Sequence, residues 1–181
     1  MRIEERITGR DAEVLCQIVK ESIKTLQASL EAVIIETSTD TSASKQVKDH
    51  MFNQLVMDGW RPRFKIDKNI SELYPIANYI LDAMQDFSSD DCNHIHRLLV
   101  EFCFDNRQAI GSNILKFEVA SRSALESNVH PVPILICADP EALKHFGWDA
   151  SIANANEYEY AVRDVYRKII QHPPIILALH S

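Results

Sequence analysis

The sequence predicts an α/β fold in which a central mixed β-sheet is flanked by helices on both faces. Apolar runs of strand length alternate with segments of helical periodicity through the second half of the chain. A strand, helix and strand over residues 95–138 imply a right-handed crossover between two parallel strands. With 181 residues, 46% of them hydrophobic, we expect one domain with a sizeable core over residues 1–181.

The first half of the chain is expected to be mainly helical. Apolar residues at helical spacing indicate the helices, and an alternating stretch with Pro62 indicates an edge strand. The expected elements are a helix over 10–34, a polar loop over 37–44, a helix over 44–57, a strand over 60–66 and a helix over 71–87. We divide the domain into an N-terminal helical segment (1–36), a core (45–140) and a C-terminal helix and strand (150–181).

The second half supplies most of the sheet. Its apolar runs are bounded by polar or proline-containing segments, which favour strands of ordinary length. The expected elements are a strand over 94–104, a helix over 108–125, a strand over 132–138, a short helix over 140–146, a helix over 156–170 and a strand over 175–179.

Composition narrows the functional classes. The net charge of -7 argues against a general nucleic-acid coat, although it leaves room for a local basic face. The sequence contains no apolar run of membrane-spanning length and its N-terminus is charged, so we expect a cytoplasmic protein without membrane association. The four cysteines have no CxxC spacing, which favours reduced thiols over a disulfide framework.

Glu101 is the most informative residue, because it lies in an otherwise apolar strand. Side chains alternate along a strand, so Glu101 and Cys103 point to the same face. Burying a carboxylate costs several kcal/mol unless it is paired, protonated or bound to a cation, and Glu101 is therefore a candidate site residue. The alternative is an edge strand in which Glu101 pairs with Arg97 or Arg107.

The order of these segments resembles a known family. Residues 99–107 (LVEFCFDNR) are followed by a helix that contains Asn113 and Lys116 and then by the apolar strand 133–137, and an upstream helix ends at Gly59-Trp60. Over about residues 45–140 this is similar to the PD-(D/E)XK nuclease superfamily, and most similar to the BglII/BstYI/BamHI-like type II restriction endonucleases.

The resemblance implies a restriction-endonuclease-like fold and a metal-dependent endodeoxyribonuclease that hydrolyses double-stranded DNA. In this family two acids hold Mg²⁺, which polarises the phosphate and activates water. Glu101 matches the second acid, and Cys103 falls where a Lys, Glu or Gln is usual. For the first acid we favour Asp91 over Asp90. Asp105 and Glu118 are further candidates for a metal-binding acid.

Cys103 departs from the family pattern. A neutral thiol does not stabilise hydroxide as an ammonium does, and sulfur is a poor ligand for Mg²⁺. The alternative function is therefore a catalytically degenerate nuclease-fold protein that acts as a DNA-binding or protein-binding module.

The resemblance also implies a DNA partner and a homodimer, since a palindrome is cut by two symmetry-related sites. The basic residues expected to contact DNA phosphates lie on the edge strand and around the crossover helix: Arg61, Arg63, Lys65, Arg107 and Lys116. Either the N-terminal helix or the tyrosine-rich C-terminal helix could form the dimer contact.

A zinc site is a rival interpretation of the start of the central strand. Cys92, His94 and His96 share one face there, and their side chains are suitable zinc ligands. Cys103 has the opposite parity and could join them only through a bulge. A solvated histidine pair is the simpler interpretation.

Overall fold

A computed structural model describes residues 1–7, 16–33, 43–66, 80–89, 92–125 and 129–181. The elements are β1 (Arg2–Ile7), α1 (Gln17–Glu31), α2 (Ala43–Met57), β2 (Arg61–Lys65), β3 (Ile80–Ser89), β4 (Cys92–Phe102), α3 (Ile110–Leu125), β5 (Val129–Ala138), α4 (Pro140–His145), α5 (Ala155–Tyr160) and β6 (Ile175–His180). A 3₁₀ turn, Arg107–Ala109, leads into α3.

The strands form one six-stranded sheet in the order β1-β6-β5-β4-β3-β2. The central pairs β4–β5 and β5–β6 are parallel, and the outer pairs are antiparallel. Helices α1 and α2 pack on one face of the sheet and α3 and α5 on the other, each with its own apolar cluster. This confirms the predicted mixed sheet with helices on both faces and the parallel pair over residues 95–138.

The alternation along β4 divides its side chains between the two apolar clusters. Leu98 and Val100 pack in the cluster of α1 and α2, whereas Leu99 and Cys103 pack in the cluster of α3. Both faces are covered by helices, so the strand is apolar on both sides, as is usual for a central strand.

The helix predicted over residues 71–87 is wrong from Ile80 onward, where the chain forms β3. The apolar residues of this stretch fit both the helical period and the alternation of a strand. Pairing with β2 and β4 on either side decides in favour of a strand. Residues 71–79 lie outside the described part. The strand β1 was not predicted either, because charged residues fill most of it. It pairs with β6 at the sheet edge and buries Ile3.

Most of the remaining elements agree with the predictions within a few residues. α1 confirms the middle of the predicted first helix. Residues 37–42 of the expected loop lie outside the described part of the chain, and its last two residues, 43 and 44, belong to α2. The last helix is shorter than predicted, because α5 ends at Tyr160 and passes into a π-helical turn, Ala161–Val165. Within the described segments, no helix is long and apolar enough to cross a membrane.

Candidate active site: two carboxylates between two lysines

Glu101 lies near the end of β4 and is 2% exposed. The strand is flanked by β3 and β5, so the edge-strand alternative is wrong. Its two suggested partners are bound elsewhere. Arg97 donates to Asp86 at 2.7 Å, and Arg107 donates to Glu157 at 2.5 Å.

Asp82 is the second acid of the site. The pair Ala83–Val100 is in register between β3 and β4, and one step further along the ladder brings Asp82 opposite Glu101. The Asp82 backbone N–H donates to Glu101 Oε2 at 3.3 Å. The Phe102 backbone N–H donates to Asp82 Oδ2 at 2.9 Å. These bonds hold the two carboxylates side by side at the ends of adjacent strands.

Two lysines reach this acid pair from opposite layers. Lys116 on α3 donates to Glu101 Oε1 at 2.5 Å. Lys48 on α2 lies with its Nζ 3.0 Å from Asp82 Oδ2 and 3.4 Å from the Phe102 carbonyl oxygen. The lysine side chains are 22% and 27% exposed. Glu101 is buried and Asp82 is 21% exposed, so the acid pair lies just beneath a surface that a ligand can reach.

The charges at this site perturb one another. Burial and the neighbouring Asp82 carboxylate raise the pKa of Glu101 to about 7, against the opposing attraction of Lys116 and Lys48. Burial alone would lower the pKa of Lys48, but Asp82, Glu101 and Asp105 together raise it above its usual value. Such mutual perturbation is typical of functional sites.

The donor atoms suit a hard divalent cation. Asp82 and Glu101 offer carboxylate oxygens and Phe102 a carbonyl oxygen next to them, and oxygen is the ligand that Mg²⁺ prefers. Among the described residues, no group of three or more His, Cys, Asp or Glu side chains could hold a metal ion. Because Mg²⁺ usually keeps several of its waters, two carboxylates are a sufficient protein contribution.

Cys103, at the third position of the predicted motif, is fully buried behind Glu101. Its thiol faces the Glu101 carbonyl oxygen at 3.6 Å and receives the Asn113 amide at 3.8 Å. Burial, with smaller contributions from Cys137 and Glu101, raises the pKa of this thiol well above its usual value. A neutral, enclosed thiol offers nothing to a substrate at the surface.

Asp91 and Asp90, the first acids that the sequence suggested, lie outside the described residues. Asp105 is exposed just beyond β4, where its charge acts on Lys48. Glu118 is buried elsewhere and accepts bonds from the Gln171 backbone N–H at 2.9 Å and from Arg122 at 2.8 Å.

Asp82 was missed because its segment was interpreted as a helix. The available signal was a carboxylate inside the apolar run Ile80-Leu81-Asp82-Ala83-Met84, the same signal that identified Glu101. Interpreted as a strand, this run predicts a second acid within the sheet.

The predicted DNA contacts fall into two groups. Arg61, Arg63 and Lys65 are exposed on the edge strand β2, next to β3. Arg63 has a left-handed backbone (φ 50) at the step of the ladder opposite Asp82, so the simple alternation is interrupted there. Arg107, by contrast, bonds to Glu157 and the Ala150 carbonyl, and Lys116 bonds to Glu101.

The zinc interpretation gains no support from the described side chains. Those of Cys92 and His94 are outside that set, and His96 Nε2 lies 3.2 Å from Cys16 Sγ. Cys103 packs in the cluster on the other face of the sheet, as its parity predicts.

No family model and no curated protein sequence matches this chain. Among solved structures it is similar to the restriction endonuclease BglII complexed with a DNA 16-mer, with a TM-score of 0.71 and 16% sequence identity. The alignment covers 100% of this chain and 79% of that one. At this identity the similarity concerns the fold, which is restriction-endonuclease-like.

Proposed function

We propose that this protein is a metal-dependent endodeoxyribonuclease that hydrolyses phosphodiester bonds of double-stranded DNA in the manner of a type II restriction enzyme. One observation carries the proposal. The buried Glu101 carboxylate lies beside that of Asp82, which is 21% exposed, on adjacent strands of a fold shared with a restriction endonuclease. Two carboxylates so close together require positive charge, which the two lysines supply here and which a divalent cation would supply when bound.

The chemistry follows from the oxygens at the ends of β3 and β4. A bound Mg²⁺ would supply a Lewis acid for the phosphate and lower the pKa of the attacking water. Asp82 and Glu101 would hold it. The backbone N–H groups of Phe102 and Asp82 orient these carboxylates, which limits the reorganisation that binding requires.

The edge strand is the proposed phosphate-contacting surface. Arg61, Arg63 and Lys65 place three cations on an exposed strand that adjoins the acid-bearing strand β3. Lys and Arg contacts to phosphate position a duplex without reading its sequence. Loss of one contact should weaken binding to all sequences and reduce its salt dependence.

We further propose a homodimer. The two strands of a duplex are antiparallel, so two copies related by a two-fold axis would present one acid pair to each strand. The exposed apolar residues beyond α5, Val165 and Ile169, favour the C-terminal segment as the contact.

The test is cleavage of mixed-sequence duplex DNA by the native chain and by Glu101→Gln, with Mg²⁺, with Mn²⁺ and with EDTA. We expect discrete cuts that require the metal and that the variant loses. Binding of the same DNA in Ca²⁺ should persist in the variant. If the native chain leaves the DNA intact with both metals, it is not a nuclease under this proposal.

The burial of Cys103 favours a second candidate, the catalytically degenerate binding module, because the strand lacks the usual third residue. This candidate predicts DNA or protein binding that is independent of divalent cations and unaccompanied by cutting. The same experiment separates the two candidates.

A further inference from the structure

We infer that Lys116 on α3 is a catalytic residue and that its ammonium supplies, from a helix, the positive charge that the strand lacks at Cys103. The inference rests on the proposed nuclease function and assigns a residue within that site. It also gives Lys116 a role different from general contact with DNA phosphates.

The first support is the position of the strand residue. Cys103 is fully buried, and its thiol contacts the backbone of Glu101 and the amide of Asn113. A thiol has no cationic form, and one enclosed in this way is out of reach of a substrate at the surface. The third position of the strand therefore cannot stabilise an attacking oxygen.

The second support is the geometry of Lys116. Its Nζ donates to Glu101 Oε1 at 2.5 Å, and its side chain is 22% exposed against 3% for Glu101. The ammonium thus lies between the buried carboxylate and the surface from which a phosphate would approach. An ammonium has three N–H donors, so the bond to Glu101 leaves two for water and phosphate oxygen.

Lys48 does not duplicate this arrangement. It approaches from the opposite layer and bonds to Asp82 Oδ2 and the Phe102 carbonyl oxygen. Lys48 therefore neutralises the Asp82 side of the acid pair. Of the two lysines, Lys116 is the one that contacts Glu101 directly.

In the proposed step, the oxygen of a water attacks phosphorus after giving its proton to bulk solvent. The bond from phosphorus to the leaving sugar oxygen breaks, and that oxygen takes a proton from water. Lys116 donates N–H bonds to the attacking oxygen as negative charge gathers on it and on the phosphate. Fixed donors aimed at such charge contribute about 100-fold or more in rate.

The test removes the charge and then restores it. In Lys116→Met, we expect single-turnover cleavage at saturating Mg²⁺ to fall about 100-fold or more. The dissociation constant for Mn²⁺ should not rise, because the substitution removes a positive charge next to Glu101, and the dissociation constant for DNA in Ca²⁺ should stay within about threefold. Cys103→Ala should cut at close to the native rate.

Alkylation of Lys116→Cys with 2-bromoethylamine rebuilds an ammonium on a chain of lysine length. We expect this treatment to restore at least one tenth of the native rate. Lys116→Ala treated in the same way controls for modification of other thiols and should remain inactive.

Three results would overturn the inference: cleavage by Lys116→Met within about threefold of native, loss of Mn²⁺ binding in that variant, or no recovery after alkylation. The second would mean that Lys116 merely holds Glu101 in place. In each case the native chain still cuts, so the nuclease proposal survives. If the native chain itself does not cut, the function and this inference fail together.

Discussion

At the scale of single residues, the acid pair lowers the stability of the folded state. Asp82 and Glu101 are like charges held side by side, and Glu101 is almost completely buried. Burial, and then repulsion from Asp82, raise the pKa of Glu101 to about 7, so Lys116 and Lys48 offset these two effects only in part. Local destabilisation of this kind is expected where the groups are kept for function.

The raised pKa of Glu101 predicts how stability depends on pH in EDTA. With its raised pKa, the Glu101 carboxyl of the folded state holds its proton up to about pH 7, whereas the unfolded state releases it near the ordinary value of 4.5. The folded state therefore binds more protons in this window, and the group's contribution to stability falls as pH rises through it. The loss is at most about 3 kcal/mol.

Glu101→Gln lacks this titration, so its free energy of unfolding relative to native should rise between pH 5 and pH 8. Urea unfolding at several pH values measures the difference. A difference that stays constant across this range would show that the carboxyl is not perturbed.

Lys48 gives a second prediction at this scale. Its ammonium lies on Asp82 Oδ2 and the Phe102 carbonyl oxygen, so it competes with a divalent cation for the same donors. We expect Lys48→Met to tighten Mn²⁺ binding by about 3- to 10-fold, since a neighbouring positive charge is removed. Titration of Mn²⁺ followed by electron paramagnetic resonance measures this.

Lys45→Met is the matched control for Lys48→Met, because Lys45 is exposed on the same helix. It should leave Mn²⁺ affinity unchanged. Weaker Mn²⁺ binding in Lys48→Met would instead mean that Lys48 keeps Asp82 in its binding position.

Single residues also show how far the sequence could predict the site. Glu101 was identified because a carboxylate in an apolar run stands out whatever the register. Asp82 was not, because its significance depends on its lying opposite Glu101 on the neighbouring strand, 19 positions away along the chain. Lys48 and Lys116 reach the site from helices on opposite faces of the sheet, and no local sequence pattern predicts that they lie close together.

At the scale of elements, strong local signals were reliable and ambiguous ones were not. β4, β5 and α2 were predicted closely because long apolar runs or clear caps define them. β3 was predicted as a helix because its apolar residues fit both the helical and the strand period. Its sheet partners β2 and β4 decide between the two. β1 is an edge strand with few apolar residues, so its pairing with β6 had no local signal.

Close packing of α3 against the C-terminal segment predicts a coupling between Gly111 and Tyr166. A methyl group added at Gly111 would lie 2.5 Å from the Tyr166 hydroxyl oxygen. Gly111→Ala should therefore lower the free energy of unfolding by about 1 kcal/mol despite the better helix propensity of alanine.

In a Tyr166→Phe background the clash is removed, because the next ring atom is 3.5 Å away, and Gly111→Ala should then be neutral or stabilising. A double-mutant cycle from urea unfolding measures the coupling. Additive effects of the two substitutions would contradict this packing.

At the scale of the whole molecule, exposed apolar side chains in the C-terminal segment are relevant to the proposed homodimer. Tyr160, Val165 and Ile169 in the C-terminal segment are 59%, 54% and 52% exposed, although they are large and apolar. Such clustering favours an interface.

We expect the native chain to be a dimer and the double variant Val165→Glu, Ile169→Glu to be a monomer by light scattering coupled to size exclusion. Met57→Glu is the control, because Met57 is an exposed apolar residue on α2, outside this segment. A native chain that is monomeric at micromolar concentration would contradict the proposed dimer.

If Asp82 and Glu101 form one metal-dependent cutting site, substitutions of three aspartates should differ sharply in their effect on cleavage. Cleavage of duplex DNA in Mn²⁺ is measured for Asp82→Asn, Asp86→Asn and Asp91→Asn. Asp86 lies on the same strand and pairs with Arg97 outside the site, and Asp91 is the acid that the sequence suggested. We predict that Asp82→Asn loses cleavage by at least about 100-fold while the other two cut at close to the native rate. Full activity in Asp82→Asn, with activity lost in Asp91→Asn, would mean that Asp91, and not Asp82, is the acid that works with Glu101.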